Sequence, residues 1–262
     1  MPLSPGFIAD RFLRGIEYVD KPIAFSNSFI VPGFVAPPGV FIFDDFAEDT
    51  INLDRWADSE EGVGTAFAIS TTAGDPVAGH GGWISGATAA TAGNNREFAG
   101  ELIWRADRAG SNLLVFEARI TLPSVALIAV NAGFNDAKSE VGITVDITGA
   151  NVLTTAGSDV AVIAFDTDQT TDEWIGVNVD TDVDGAVVTG GGTPAANTAK
   201  RLRVEIASDG GCYYHTDGVF RGSELATGVT ETVLLAPYLG VETRTTAAKT
   251  LEVDYIFVGC AR

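Results

Sequence analysis

Charged and apolar residues alternate strictly through Arg201-Leu202-Arg203-Val204-Glu205-Ile206. That pattern predicts a half-buried strand with Leu202, Val204 and Ile206 facing inward and Arg201, Arg203 and Glu205 facing out. The same rule places Ile175, Val177 and Val179 inside and leaves Asn178 and Asp180 wet. Short runs of β-branched and aromatic residues recur from Gly39 onward, separated by clusters of Gly, Asn, Asp and Thr. The clearest are Glu97 to Trp104, Leu113 to Ile120, Ala126 to Phe134, Val141 to Ile147, Val160 to Phe165, Trp174 to Val179, Arg201 to Ala207, Cys212 to Phe220, Val233 to Val241 and Leu251 to Val258. So many strands in succession predict an all-β, two-sheet antiparallel sandwich. Helical periodicity is nearly absent after residue 40, no repeat of fixed period occurs, and the patches Thr71 to Gly82, Gly86 to Asn95 and Thr189 to Ala199 read as loops.

A seam at Ala36-Pro37-Pro38-Gly39 divides the chain into an arm, residues 1–38, and a sandwich domain, residues 39–262. The arm is apolar and predicts one short helix: Ser4 caps it, Pro5 suits its first position, Gly15 stops it, and Ile8, Phe12 and Ile16 share a face. The segment Ile23 to Pro32 is too punctuated for a helix and too apolar for a solvated linker, so it is expected to be extended and docked. Phe7, Ile8, Phe12, Leu13, Ile16, Phe25, Phe29, Ile30 and Phe34 are the expected docking residues. Two destinations stay open, a sheet edge of the arm's own body and the surface of another chain.

Charge narrows the partners. The net charge is −19, and the arm balances Asp10, Glu17 and Asp20 against Arg11, Arg14 and Lys21, so all of it belongs to the body. An acidic surface without a Lys/Arg stripe repels phosphates, which argues against a nucleic-acid partner. Met1-Pro2-Leu3-Ser4-Pro5-Gly6 lacks a basic segment followed by an apolar one, and no stretch is long and apolar enough for a membrane span, so synthesis in the cytoplasm and no membrane partner are expected. Cys212 and Cys260 read as buried free thiols in such a compartment, although their two strands could place them face to face.

Phe43-Asp44-Asp45-Phe46 followed by Leu53-Asp54-Arg55-Trp56, then Phe116-Glu117-Ala118-Arg119-Ile120, Gly133-Phe134 and finally Val253-Asp254-Tyr255-Ile256-Phe257-Val258 resemble the concanavalin A-like lectin/glucanase jelly roll. The resemblance covers Gly39 to Arg262. It implies that the opening and closing strands are neighbours and that the Trp packs under the first long loop. The family includes lectins, glycan hydrolases and lyases, laminin-type modules and tailed-phage virion proteins, and the fold by itself does not choose among them.

Its glucanases carry Glu-x-Asp-x-Glu or Glu-x-Asp-x-x-Glu on one strand, where alternate carboxylates share a face. No such motif occurs; Glu252-Val253-Asp254 comes nearest and reads as an outward acidic pair beside the core residues Val253 and Tyr255. Asp180-Thr181-Asp182-Val183-Asp184-Gly185 is the first half of a calcium loop, but Gly191 stands where a bidentate Glu is needed, so Asp180, Asp182 and Asp184 form only a weak metal candidate. His80 and His215 are too few for zinc, and no nucleophile elbow or dinucleotide fingerprint is found. Cys212 to Phe220 reads as a hairpin turning at Thr216-Asp217-Gly218. Trp83, Trp104 and Tyr213 could stack on sugar rings, with core packing as the alternative.

The expected function is therefore that of a non-enzymatic virion structural protein, a capsid decoration or cement protein without cofactor. It would dock on the shell or another virion protein by its arm, as a homo-oligomer for which a trimer is the analogy, on the virion surface. A glycan-binding module of a cell surface or tail fibre is the alternative.

Overall fold

In a computed structural model the chain is described at residues 30–31, 34–35, 39–46, 50–70, 82–109, 113–225 and 228–261. The first strands in chain order are β1 (Ile30–Val31), β2 (Phe34–Val35), β3 (Gly39–Asp44), β4 (Ala57–Glu60), β5 (Thr65–Ser70), β6 (Trp83–Ala87) and β7 (Asn95–Ala99), followed by a 3-10 turn at Ala106–Ala109. Then come β8 (Leu114–Thr121), β9 (Ile128–Asn135), β10 (Val145–Thr148), β11 (Val152–Thr155), β12 (Val160–Asp166), β13 (Ile175–Asp180) and β14 (Val183–Asp184). The last are β15 (Lys200–Ile206), β16 (Cys212–Thr216), β17 (Val219–Glu224), β18 (Ala236–Thr243) and β19 (Thr250–Ala261).

Beside the two-stranded pairings β1-β2 and β10-β11, the strands build two large antiparallel sheets, a seven-stranded one in the order β14-β13-β12-β9-β18-β7-β4 and an eight-stranded one in the order β17-β16-β15-β8-β19-β6-β5 with β3 joined to β19 off that path. The opening and closing strands are neighbours as expected, with β3 paired to β19 from Asp44↔Ile256 to Gly39↔Ala261. Alternation on β15 is also as expected: Leu202, Val204 and Ile206 are buried, while Arg201, Arg203 and Glu205 are half-exposed. Between the sheets lie Trp56, Phe98, Phe116, Phe134, Phe165, Trp174, Tyr214, Leu239 and Val258, and each large apolar side chain so buried contributes about 1.5–3 kcal/mol before ordering costs.

A smaller apolar cluster lies outside the seven-stranded sheet. The hairpin β10–β11 folds over β12 and β13, so Val145, Ile147 and Leu153 cover Val160, Val162, Ala164, Ile175, Val177 and Val179. Both faces of β12 are thereby buried, which explains why Val160 to Phe165 is a continuous apolar run. Ile175, Val177 and Val179 are inside this second cluster, and Asn178, expected to be wet, is instead buried between the sheets, where its Oδ1 accepts a 3.3 Å hydrogen bond from Tyr214.

Other expectations need correction. Residues 141–144 precede β10 as a loop, with Gly142 at φ +79°. Gly86 and Ala87 belong to β6, not to a loop. A bulge at Val253/Tyr255 turns Tyr255 to the outer face beside Phe43 and gives its core position to Ile256. The arm helix falls outside the described residues. Of the docking residues of the arm, Ile30 and Phe34 belong to the short β1–β2 pairing, whose backbone register is Ile30↔Val35 and Val31↔Phe34.

Candidate functional site

The outer face of the seven-stranded sheet divides into an apolar half under the hairpin and a polar half under residues 136–144. Alternation on β7 and β18 turns Phe98, Leu239 and Val241 into the core and therefore turns Glu97, Tyr238 and Glu242 outward. Outward here does not mean exposed, because Glu97 is 1% and Glu242 4% accessible. Residues 136–144 cover them and are held almost wholly by polar contacts.

Glu97 organises this floor. Its carboxyl accepts a 2.6 Å hydrogen bond from the Tyr238 hydroxyl, one of 3.0 Å from the Ser59 hydroxyl, and the backbone N–H of Glu140 at 3.1 Å. Burial pushes its pKa up to about 7, against the pull of those donors. Glu61 accepts the N–H of Gly142 at 3.2 Å and Glu242 that of Ile143 at 2.9 Å. Asn95 donates to the carbonyls of Glu140 and Gly142, and Asn135 donates to Glu140 Oε1 at 2.9 Å and to the carbonyl of Ala137 at 3.1 Å. Burial also raises the carboxyls of Glu140 and Glu242.

Beside this floor the Arg244 guanidinium bonds Asp146 of the hairpin, Asp166 of β12 and Glu242 of β18. Asp166 also accepts the N–H of Ile147 at 3.1 Å, and Asn131 exchanges hydrogen bonds with Val145 at 2.7 and 3.1 Å. These links fasten the hairpin to the sheet at the border between its apolar and polar halves.

The outer face of the eight-stranded sheet carries a cross-strand row, Phe43, Phe257, Glu117, Arg203, His215 and Phe220, contributed in turn by β3, β19, β8, β15, β16 and β17. Tyr255 donates 2.7 Å to Glu117, Arg203 donates 2.6 Å to Glu205, and His215 lies 3.5 Å from Glu205 and 5.3 Å from the Phe220 ring. Tyr213, half-exposed, neighbours Glu205 on the same face.

The sugar-stacking candidates separate on this structure. Tyr213 is accessible, but Trp83 and Trp104 are 2% and 4% exposed, so neither offers a ring face to a ligand. Asp254 lies at the β19 bulge, 9% exposed, and is paired 2.6 Å from Arg119 of β8. Among the described residues no group of three or more His, Cys, Asp or Glu side chains could hold a metal ion; Asp180 accepts from Thr230 at 2.7 Å and Asp184 from Thr155 at 3.4 Å. Cys212 and Cys260 are both buried. Of the arm's docking residues, Phe7, Ile8, Phe12, Leu13, Ile16, Phe25 and Phe29 lie outside the described residues.

Sequence reasoning missed Glu97, Tyr238, Glu242 and Arg244, because it sought carboxylates along one strand and the fold assembles them across several. The available signal was a lone acid inside an apolar run, as in Leu239-Gly240-Val241-Glu242.

No family model matches the sequence, and no curated protein matches it. Solved structures do. A β-glucanase of Bacillus licheniformis aligns with TM-score 0.55 at 10% identity, covering 83% of this chain and 97% of that one. The Emp47p carbohydrate recognition domain aligns with 0.51 at 9%, covering 82% and 92%. An endo-β-1,4-glucuronan lyase from Trichoderma reesei aligns with 0.51 at 12%, covering 84% and 95%. The fold is thus the concanavalin A-like jelly roll, shared with carbohydrate-binding and carbohydrate-cleaving domains. The expectation that the chain is not an enzyme is corrected accordingly: the fold neighbours include a glucanase and a lyase, so this is a fold on which carbohydrate chemistry occurs, and at such identities the likeness extends to the fold alone.

Proposed function

We propose that the chain is a virion structural protein, a capsid decoration or cement protein that docks by residues 1–38 and projects its jelly roll into solvent. The observation that supports this reading is the point where arm meets body. The strand following the arm, β3, lies along β19 and sets Phe41 and Phe43 beside Phe257 and Tyr255, with ring centroids 6.0 and 5.8 Å apart, on the outer face of the eight-stranded sheet. A neutral apolar arm therefore leaves an acidic body next to an aromatic strip. Like-charged bodies repel, and the arm is the part able to approach an acidic neighbour. Anchors such as Phe7, Phe12 and Phe25 would each add about 1.5–3 kcal/mol if fully buried, before ordering costs. Repetition around a symmetric shell multiplies such contacts, and a closed homotrimer on the virion surface is the assembly we favour.

The test is a chain beginning at Gly39, mixed with particles lacking the protein and sedimented beside the full-length chain. Loss of particle association with an unchanged far-UV spectrum supports arm docking. Decoration at full occupancy by the truncated chain overturns it.

A second reading, a glycan-binding module, is favoured by Tyr213 and His215 standing beside the Arg203 and Glu205 pair on an accessible face. It expects glycan binding that survives removal of residues 1–38 and is lost in Tyr213→Ala.

A further inference from the structure

The two coverings on the seven-stranded sheet differ in how they are held. The β10–β11 hairpin buries apolar side chains, so lifting it exposes Val145 and Ile147 to water. Residues 136–144 bury little apolar surface apart from Ile143, and Val141 at their tip is 87% exposed. Their grip includes hydrogen bonds to Glu97, Glu61, Glu242, Asn95 and Asn135, with Lys138 paired 2.5 Å from Glu101, and at the two ends bonds of Asp136 to Asp159 and Ser158 and of Thr144 to Ala156. Water can replace each of these bonds when the segment lifts. The closed arrangement also leaves Asn135 Oδ1 and Thr144 Oγ1 buried without a hydrogen-bond partner, a cost that opening relieves.

We propose that residues 136–144 form a lid over the polar half of the seven-stranded sheet, hinged on the hairpin behind them, and that raising the pH releases the lid while the sandwich stays folded. The direction follows from the groups the lid buries. Glu97 is faced by Tyr238 from β18, by Ser59 from β4 and by Glu140 of the lid itself, which has Asp136 nearby; Glu242 lies on the same face of β18, two residues beyond Gly240, the partner of Glu97. Among the described residues no cation pairs with Glu97 or Glu140: Arg96 faces the core side with Asp58 and Glu60, Arg244 holds Asp146, Asp166 and Glu242, and Lys138 holds Glu101. The closed lid therefore favours protonated carboxyls, and Glu97, Glu140 and Glu242 all shift upward. Opening rehydrates them and lets them ionise near their ordinary values, so each unit of pH above that value shifts a single site up to about tenfold toward the open form until the closed-state value is reached. The uncovered floor presents Glu97, Tyr238 and Asn135 to solvent.

Hydrogen exchange on the full chain reads this opening directly. Corrected for the base-catalysed intrinsic rate, protection of the Glu140, Gly142 and Ile143 amides should fall at least about tenfold between about pH 6 and about pH 8.5, while the Val130 and Leu239 amides stay protected. Glu97→Gln should remove most of that fall. Unchanged lid protection overturns the proposal, as does an equal loss at Val130 and Leu239, which would be global unfolding. A fall of unaltered size in Glu97→Gln overturns the role of Glu97. Wild-type chain gives a second measurement independent of any variant: trypsin cleavage after Lys138, scaled to a reference peptide at each pH, should increase with pH, and a constant scaled rate counts against the lid.

Discussion

The indole N–H of Trp56 donates a 2.8 Å hydrogen bond to Asp44 Oδ2, tying the end of β3 to the loop that enters β4. The same ring stacks on Phe98 with centroids 5.1 Å apart and is 1% exposed, so one side chain joins the opening strand to the core of the opposite sheet. Trp56→Phe keeps much of the stacking and removes the donor, leaving Asp44 with the Phe46 N–H at 3.1 Å and Arg55 at 3.5 Å. Urea unfolding should show a loss of about 1–3 kcal/mol, and Trp56→Ala one of about 3–5 kcal/mol. Equal losses in the two variants would mean that the hydrogen bond, absent from both, accounts for the loss and that the ring packing kept in Trp56→Phe adds nothing.

Among the described residues Arg244 is the one cation paired with Asp146, Asp166 and Glu242, and Asp166 is wholly buried. Arg244→Leu removes the compensating charge and keeps much of the side-chain volume, so the cost is that of uncompensated buried carboxylates, about 3–5 kcal/mol. Adding Asp166→Asn and Glu242→Gln to that variant should restore a large part of the loss. Calorimetric midpoints for the single and triple variants decide the matter; no recovery in the triple variant would show that Arg244 acts by packing alone.

Much of this architecture was legible from alternation because one-sided burial writes a period of two into a strand. Leu202, Val204 and Ile206 are inside for that reason. Asn178 defeated the rule because β13 is covered on both faces, and then a polar residue can be buried and bonded, here to Tyr214. Tyr255 defeated it because a bulge adds one residue and reverses facing beyond it. The polar floor was illegible for a different reason. Glu97, Tyr238 and Glu242 come together through the pairing of β7 with β18, and strand neighbours distant in sequence leave no spacing to read.

Gly176 on β13 packs against the ring of Tyr214 from the other sheet, and a methyl at its α-carbon would lie 2.4 Å from ring atoms. Gly176→Ala should therefore cost about 1–3 kcal/mol by overpacking. Tyr214→Leu in the same chain removes the clash and should make the combined loss smaller than the sum of the single losses. A double-mutant cycle in urea measures the coupling, and strict additivity would show that the sheets separate locally to admit the methyl.

Glu97 sets the sign of the pH dependence. Its carboxyl is pushed from the ordinary 4.5 up to about 7 in the folded chain, so the folded form holds a proton that the unfolded form has released across that window. Stability contributed by this group is present at about pH 4.5 and below and declines as the pH rises toward 7. The full loss is about 3 kcal/mol at most, and lid opening caps it, because the folded chain can ionise Glu97 by lifting residues 136–144 instead of unfolding. Glu97→Gln removes the titration, while its amide N–H₂ replaces one of the two carboxylate oxygens, so the hydroxyl on that side, of Tyr238 or of Ser59, must turn to accept. The variant should show a flatter stability profile between about pH 5 and about pH 8, read from urea midpoints at constant ionic strength. A profile as steep as wild type would assign the dependence to other carboxyls.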